Sequence, residues 1–309
     1  MVSANGVRIT WSDLPAHLRH RIEGSIGSPV VGVESQMGGF SPGTADRVVT
    51  ADGTRAFVKA VSPAQNETSA AMARRELHIA AALPADAPVP RLLHGLAHDD
   101  WVVAVFEDID GRHPRTPWEK DELDAAVSAL RDLAHSLTPS PVPDAPAAAD
   151  TLRPGLQGWR NLAADPPADL DPWAKAHLGE LVAAADRTLA ALVGQTLQHC
   201  DIRADNMLVR PDGSIVFVDW PWASVGPAWM DRADLAINVL VHGGDAGEIL
   251  AGLGDPHAVR DYIVAFTGFF LDQARMPPPP GLPTVRAFQR FQGDALLPWV
   301  RAKQGNSAD

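Results

Sequence analysis

The stretch LQHCDIRADNMLVRPDGSIVFVDW, residues 197–220, contains the side chains best suited to do chemistry. His199, Asp201, Asn206 and Asp219 lie around two apolar runs, MLV and IVFV, which RPDGS separates. A Pro-Asp-Gly sequence between two short apolar runs predicts a β-hairpin. Closing that hairpin brings Asn206, at one end, beside Asp219, at the other. The stretch therefore predicts an amide oxygen and a carboxylate side by side.

Such a pair of oxygen ligands suits a hard cation such as Mg²⁺, whose other positions phosphate and water can fill. Asp201 precedes Asn206 by five residues on the loop that enters the hairpin, so we expect it to face the group that reacts. A zinc site built from His199, Cys200 and Asp201 is the alternative, but the sequence has no second cluster with the spacing of zinc ligands.

The spacing His-x-Asp-x4-Asn, followed by an aspartate, resembles the catalytic-loop and metal-binding elements of the protein-kinase-like fold. With VGPAWMDRADLA after it, the stretch is most similar to the aminoglycoside phosphotransferase and choline kinase-like family of that fold. The resemblance implies that Asp201 is the catalytic residue and that Asn206 and Asp219 hold Mg²⁺. It also implies that His199 braces the loop, and we interpret Arg203 and Asp205 as a bracing ion pair.

Earlier parts of the chain supply the other elements of the family pattern, in the same order. AFVKAV places Lys59 in a strand, and the helix that follows carries Glu76 on an apolar face. A carboxylate on such a face requires a buried cation. GGFSPG precedes the lysine and allows backbone to approach phosphates, although it lacks the full Gly-x-Gly-x-x-Gly. The nucleotide-binding positions that the resemblance implies are Lys59, Glu76, Gly38, Gly39, Ser41, Glu107 and Ile109.

The order of elements predicts an α+β fold with two lobes. Residues 1–107 read mainly as strands, with a hairpin at Asp52-Gly53 and one helix capped by Asn66. Helical periodicity dominates from Glu119 onward. We therefore predict a bilobal protein-kinase-like fold. Residues 1–107 would form a β-rich nucleotide-binding lobe, and residues 108–309 a larger, mainly helical catalytic and acceptor-binding lobe.

Composition narrows the classes of partner. The chain has 309 residues and a formal net charge of −12. It shows no basic stripe, which argues against nucleic acid as a partner. Its apolar runs are too short to span a bilayer. With a single cysteine, Cys200, and no secretory signal, we expect a cytoplasmic protein.

The resemblance implies a kinase that transfers the γ-phosphoryl group of ATP or GTP to a hydroxyl group of a small molecule. One acceptor class is an aminoglycoside-like or other antibiotic or natural product, with a role in antibiotic resistance. The negative net charge of the chain slightly favours a cationic acceptor. The alternatives are a metabolic kinase for choline, homoserine, a sugar or a similar compound, and a catalytically inactive nucleotide-binding module. A protein kinase is disfavoured because Asp219 lies too close to DRADLA for a long activation segment. No Gly-x4-Gly-Lys sequence is present, which excludes a P-loop kinase.

Overall fold

A computed structural model describes residues 8–36, 41–279 and 281–304. In the amino-terminal part these residues form an antiparallel five-stranded sheet with strand order β1-β2-β3-β5-β4. Its strands are β1 (Val30–Ser35), β2 (Thr44–Thr50), β3 (Arg55–Val61), β4 (Leu92–His98) and β5 (Trp101–Glu107). The hairpin predicted at Asp52-Gly53 is β2–β3, and β4 and β5 form a second hairpin.

Strand alternation gives the two faces of this sheet different neighbours. Ala56, Val58 and Ala60 of β3 are buried against helix α1 (Ala16–Ile26), whose Leu18 and Ile22 are fully covered. Lys59, between them in sequence, points to the opposite face. The parity of β3 therefore directs the lysine away from the apolar core.

Helix α2 (Glu67–Ala80) is the helix predicted in this part, and the side chain of Asn66 caps it by accepting a hydrogen bond from Ser69 N at 2.8 Å. The structure adds α1, which sequence reasoning did not find. Within α1 only Leu18 and Ile22 are buried, so its apolar stripe is too narrow to stand out in the sequence.

Helices dominate the carboxyl-terminal part, as predicted. They are α3 (Lys120–Ser136), α4 (Ala148–Leu152), α5 (Gly158–Ala164), α6 (Pro172–Ala176), α7 (Leu178–Ala191), α8 (Met230–Val241), α9 (Gly247–Leu250), α10 (Pro256–Ala274) and α11 (Val285–Gln304). None of the helices in the described ranges is long and apolar enough to cross a membrane.

The sequence predicts one long helix over residues 171–194, but the structure divides it into α6 and α7. The break lies at His177, whose backbone has φ −112° and ψ 15°. Its ring stacks on Trp173, with ring centroids 4.5 Å apart, and its Nδ1 lies 2.7 Å from the carbonyl oxygen of that tryptophan. Arg301 of α11 lies over the same indole, so tertiary contacts fix the end of α6.

Two short antiparallel pairs of strands lie outside the five-stranded sheet. Strands β6 (Thr196–Gln198) and β9 (Ser224–Gly226) form one pair, and β7 (Met207–Val209) and β8 (Ile215–Phe217) form the other. The second pair is the predicted hairpin, and its turn contains Gly213 at φ 83°. Phe217 is fully buried in a core shared with α3 and α8, so this core fixes the position of the hairpin.

Candidate active site

The Lys59 ammonium joins the sheet, α2 and the hairpin. Its Nζ donates to Glu76 Oε1 at 2.7 Å and to Asp219 Oδ1 at 2.7 Å. Glu76 is 5% exposed, so the carboxylate of the predicted Lys59–Glu76 ion pair is largely shielded from solvent. Burial alone would lower the pKa of Lys59, but the two carboxylates outweigh burial and hold the pKa above its ordinary value. The lysine therefore keeps its charge.

Closing of the β7–β8 hairpin places Asn206 next to the residue that precedes Asp219. Met207 pairs with Phe217, and the Asn206 carbonyl accepts a hydrogen bond from Val218 N at 3.0 Å. Asp219 has φ 71°, in the left-handed region, which turns the chain sharply after β8. The juxtaposition inferred from the Pro-Asp-Gly turn is present in the backbone.

Asp201 and Asn206 form one hydrogen-bonded unit. Asn206 Nδ2 donates to the Asp201 carbonyl at 2.8 Å and to Asp201 Oδ2 at 3.0 Å. Arg203 Nη1 donates to both carboxylate oxygens of Asp201, at 2.8 and 3.0 Å. Burial raises the pKa of Asp201 to about 6, even though Arg203 opposes the shift. Its side chain is still 23% exposed, so a second molecule can reach it.

Polar contacts fix the loop of residues 199–206, which contains Asp201. His199 Nε2 donates to the Val218 carbonyl at 2.9 Å, and its Nδ1 accepts from Asp201 N at 3.3 Å. This bonding pattern assigns a neutral tautomer, and burial lowers the pKa of His199 in the same direction. Arg203 also forms a bidentate ion pair with Asp205, in which both hydrogen bonds are 2.9 Å long.

Sequence reasoning missed the role of Asp231. Its carboxylate accepts hydrogen bonds from the backbone N–H groups of His199, at 2.8 Å, and Cys200, at 3.0 Å. Cys200 has φ 63°, so the loop turns here and presents both amides to one acceptor. The segment DRADLA, quoted for the family resemblance, was the available signal, since Asp231 is its first residue.

The segment between the lobes contains the two predicted purine contacts. Glu107 ends β5, and its N–H donates to the Arg91 carbonyl at 2.9 Å. The Ile109 carbonyl accepts from Arg47 Nη2 at 3.3 Å. A cavity of about 440 Å³ adjoins them, lined by residues 107–110 and 210–212. A larger cavity of about 700 Å³, between α10, α11 and residues 162–172, contains none of the predicted site residues.

The glycine-rich loop is described only in part. Gly38 and Gly39 lie outside the described residues. Ser41 Oγ accepts a hydrogen bond from Gly43 N at 3.4 Å. A Cβ atom at Gly43 would lie 2.4 Å from the Ala60 carbonyl oxygen, so a glycine is required where the loop joins β2.

Comparison with known proteins identifies the class that this fold and site define. Residues 38–263 match the model of the phosphotransferase enzyme family, APH, so the chain belongs to that family. It is a small-molecule phosphotransferase with an alcohol group as acceptor. No curated protein matches the sequence.

Solved structures confirm the bilobal protein-kinase-like fold. Spectinomycin phosphotransferase APH(9)-Ia, in complex with ADP and spectinomycin, is 14% identical, with 91% of this chain and 97% of that chain covered and a TM-score of 0.60. Choline kinase LicA from Streptococcus pneumoniae is 14% identical, with 92% and 100% covered and a TM-score of 0.59. An aminoglycoside phosphotransferase from Alicyclobacillus acidocaldarius is 16% identical, with 89% and 92% covered and a TM-score of 0.52.

Proposed function

We propose that the protein transfers the γ-phosphoryl group of ATP, or of GTP, to a hydroxyl group of an aminoglycoside-like or other antibiotic natural product. The observation that carries this proposal is the presence of two hydrogen-bonded groups. Lys59 lies between Glu76 and Asp219, and Asp201 lies beside Asn206. We assign residues 1–107 to a nucleotide-binding lobe and residues 108–309 to a catalytic and acceptor-binding lobe. The cytoplasm, which supplies ATP, is the proposed compartment.

In this proposal Asp201 orients the acceptor. Its carboxylate accepts a hydrogen bond from the acceptor hydroxyl, whose oxygen attacks the γ-phosphorus, and the proton passes to the carboxylate. The bond between the γ-phosphorus and the oxygen that bridges it to the β-phosphorus breaks, and the nucleoside diphosphate leaves. A base with a pKa of about 6 is ionised at neutral pH yet still basic enough to take a proton. Arg203 and Asn206 fix the carboxylate before substrate binds, and such positioning supplies much of the rate in phosphoryl transfer.

Lys59 contacts the nucleotide phosphates in this proposal. Glu76 and Asp219 hold the ammonium in place. Backbone groups at Glu107 and Ile109 bind the purine, and the loop with Gly38, Gly39 and Ser41 covers the phosphates.

The donor set at the hairpin fits Mg²⁺. Asn206 directs both amide hydrogens at Asp201, so its amide oxygen is the atom that can meet a cation. Asp219 Oδ1 accepts a hydrogen bond from Lys59, and the Asp219 side chain is 46% exposed. Oxygen donors of this kind suit Mg²⁺, which would neutralise charge on the nucleotide phosphates.

Two kinds of acceptor are supported by the comparisons. The spectinomycin and aminoglycoside phosphotransferases support an antibiotic acceptor, and the choline kinase supports a metabolic amino alcohol. The net charge of −12 is compatible with a cationic acceptor of either kind. A coupled assay of ADP release with Mg²⁺, across aminoglycosides, spectinomycin, choline, homoserine and sugars, separates them. Activity on choline, homoserine or sugars alone would contradict the antibiotic assignment.

Asp201→Asn tests the mechanism. We expect kcat to fall about 10²–10⁴-fold because the proton acceptor is lost. Nucleotide affinity, measured by calorimetry, should stay within about threefold of wild type. The control is Asp132→Asn, which alters an exposed aspartate of α3 and should leave kcat unchanged. Near-wild-type turnover by Asp201→Asn would refute the assigned role.

A further inference from the structure

Two histidines and an aspartate converge on the side of the sheet away from Lys59. His17 lies in the first turn of α1, and His98 is the last residue of β4. Asp99 follows it in the β4–β5 turn. One ligand atom of each of the three lies within 4.8 Å of those of the other two. These residues, named here the His17 cluster, have no part in the proposed phosphoryl transfer.

Two of the three distances in the His17 cluster match those between ligands of one metal ion. Asp99 Oδ2 lies 3.4 Å from His17 Nε2 and 3.2 Å from His98 Nε2. Two ligands bound at about 2.0–2.1 Å to a tetrahedral zinc ion lie about 3.3–3.4 Å apart. Both nitrogen–oxygen separations therefore fit adjacent positions around a single ion, without backbone movement.

The backbone fixes two of the three ligands. His98 pairs with Trp101 across the hairpin, so Asp99 and Asp100 form a two-residue turn. Both have positive φ, 46° and 66°, as a tight hairpin of this twist requires. His17 comes from a separate element, and its ring meets that of His98 edge to face at a centroid distance of 5.9 Å. An ion bound here would join α1 to the β4–β5 hairpin.

We propose that the His17 cluster binds one divalent transition ion of the zinc class. Two imidazole nitrogens and one carboxylate form a donor set that suits Zn²⁺, Co²⁺ and Ni²⁺, and a water molecule completes the coordination. Mg²⁺ prefers oxygen donors, so it does not compete. The exposed fractions of His17 and Asp99, 56% and 64%, leave the site open to solvent. Because its ligands come from α1 and from the β4–β5 hairpin, a bound ion would stabilise the packing of these two elements.

Calorimetry with Zn²⁺, on the untagged full chain with Mg²⁺ in millimolar excess, tests the proposal. We expect one ion per chain and a rise in Tm of about 5 °C at a hundredfold excess over Kd. Co²⁺ should give the visible absorption of a tetrahedral site. His17→Gln and Asp99→Asn should each weaken binding at least tenfold and abolish the rise in Tm.

The matched control is His94→Gln, which removes an exposed histidine from the same strand, β4. It should bind Zn²⁺ as wild type does. All the altered side chains are on the surface, so the variants should share the Tm of the wild type without metal. Absence of Zn²⁺ binding by the wild type would overturn the proposal, as would equal binding by His17→Gln and the wild type.

Discussion

Asp234 shows how burial changes the chemistry of one side chain. It lies in α8 and is 7% exposed. Tyr262 donates its hydroxyl hydrogen to Asp234 Oδ1 at 2.8 Å, while Oδ2 is buried with no hydrogen-bond partner among the described residues. Burial, reinforced by the nearby Asp231, raises the pKa of Asp234 well above its ordinary value. The folded protein therefore keeps this carboxyl neutral to a higher pH than an exposed aspartate.

The raised pKa of Asp234 predicts a pH-dependent effect of Asp234→Asn. The unfolded chain loses this proton near the ordinary aspartate pKa, whereas the folded chain loses it at a higher pH, so the group's contribution to stability declines as pH rises above the ordinary aspartate pKa. Asparagine mimics the neutral carboxyl. The stability of Asp234→Asn relative to wild type should therefore rise as pH increases above the ordinary aspartate pKa, by up to about 1.4 kcal/mol per pH unit.

Urea unfolding at several pH values measures this difference. Asp132→Asn, on the exposed face of α3, serves as the control, and its stability relative to wild type should not change with pH. If the stability difference between Asp234→Asn and the wild type does not change with pH, the carboxyl is ionised in the folded protein.

At the scale of elements, Arg75 ties α2 to β9, which follows the hairpin. Its Nη2 donates to the Ala223 carbonyl at 2.7 Å and to Ser224 Oγ at 3.1 Å. The next residue in α2 is Glu76, which holds Lys59. The arginine therefore fixes the distance between the helix that positions the lysine and the part of the chain that contains Asp219.

Arg75→Met should lower the free energy of unfolding by about 1–3 kcal/mol, because buried acceptors lose their partner. It should also raise the KM for nucleotide, because α2 is less firmly placed. Steady-state kinetics and urea unfolding measure the two effects. Arg74→Met, at the exposed neighbouring position, should change stability by less than about 0.5 kcal/mol. Equal effects of the two substitutions would contradict the tie between α2 and β9.

A second feature at this scale is the close crossing of α5 and α10. A Cβ atom at Gly268 would lie 2.4 Å from Trp159 Cδ1, and one at Gly158 would lie 2.3 Å from the Gly268 carbonyl oxygen. Trp159 is fully buried, and its Nε1 donates to the Val264 carbonyl at 2.6 Å. The two helices can approach this closely only because both positions are glycine.

Gly268→Ala should therefore destabilise the protein by about 1–3 kcal/mol or more through overpacking. Gly179→Ala is the matched control, since a Cβ atom at that helical position meets no atom within 4 Å among the described residues. The control should be neutral or stabilising by about 0.5 kcal/mol, because alanine favours the helix. Thermal unfolding compares them, and a stable Gly268→Ala would show that α5 and α10 can separate without cost.

For the whole molecule, the proposed nucleotide site predicts a stabilisation that depends on Mg²⁺. ADP with Mg²⁺ should raise Tm by about 5 °C at a hundredfold excess over Kd, because the ligand binds only the folded state. ADP with a chelator should raise it less. Asp219→Asn should remove the difference between the two conditions. A difference that persists in this variant would exclude Asp219 as a metal ligand.

Local patterns made much of the fold predictable from sequence. The hairpins followed from Asp52-Gly53 and Pro211-Asp212-Gly213, and α2 followed from its Asn66 cap. The break at His177 and the helix α1 did not, because each depends on distant contacts: Arg301 on Trp173 in one case, and a sheet face over Leu18 and Ile22 in the other.

The sequence by itself determined which residues could do chemistry and the order in which they come. Turn-forming residues and the alternation of side chains along a strand are local properties, so they can be read from residues close together in the chain. It already implied that Asn206 comes near Asp219 and that Lys59 meets Glu76. The tertiary structure alone decided that Asp219 also contacts Lys59, that Asp231 holds the loop that contains Asp201, and that His17 meets the β4–β5 turn. These contacts join residues far apart in the chain, and only the packing of elements against one another sets such distances.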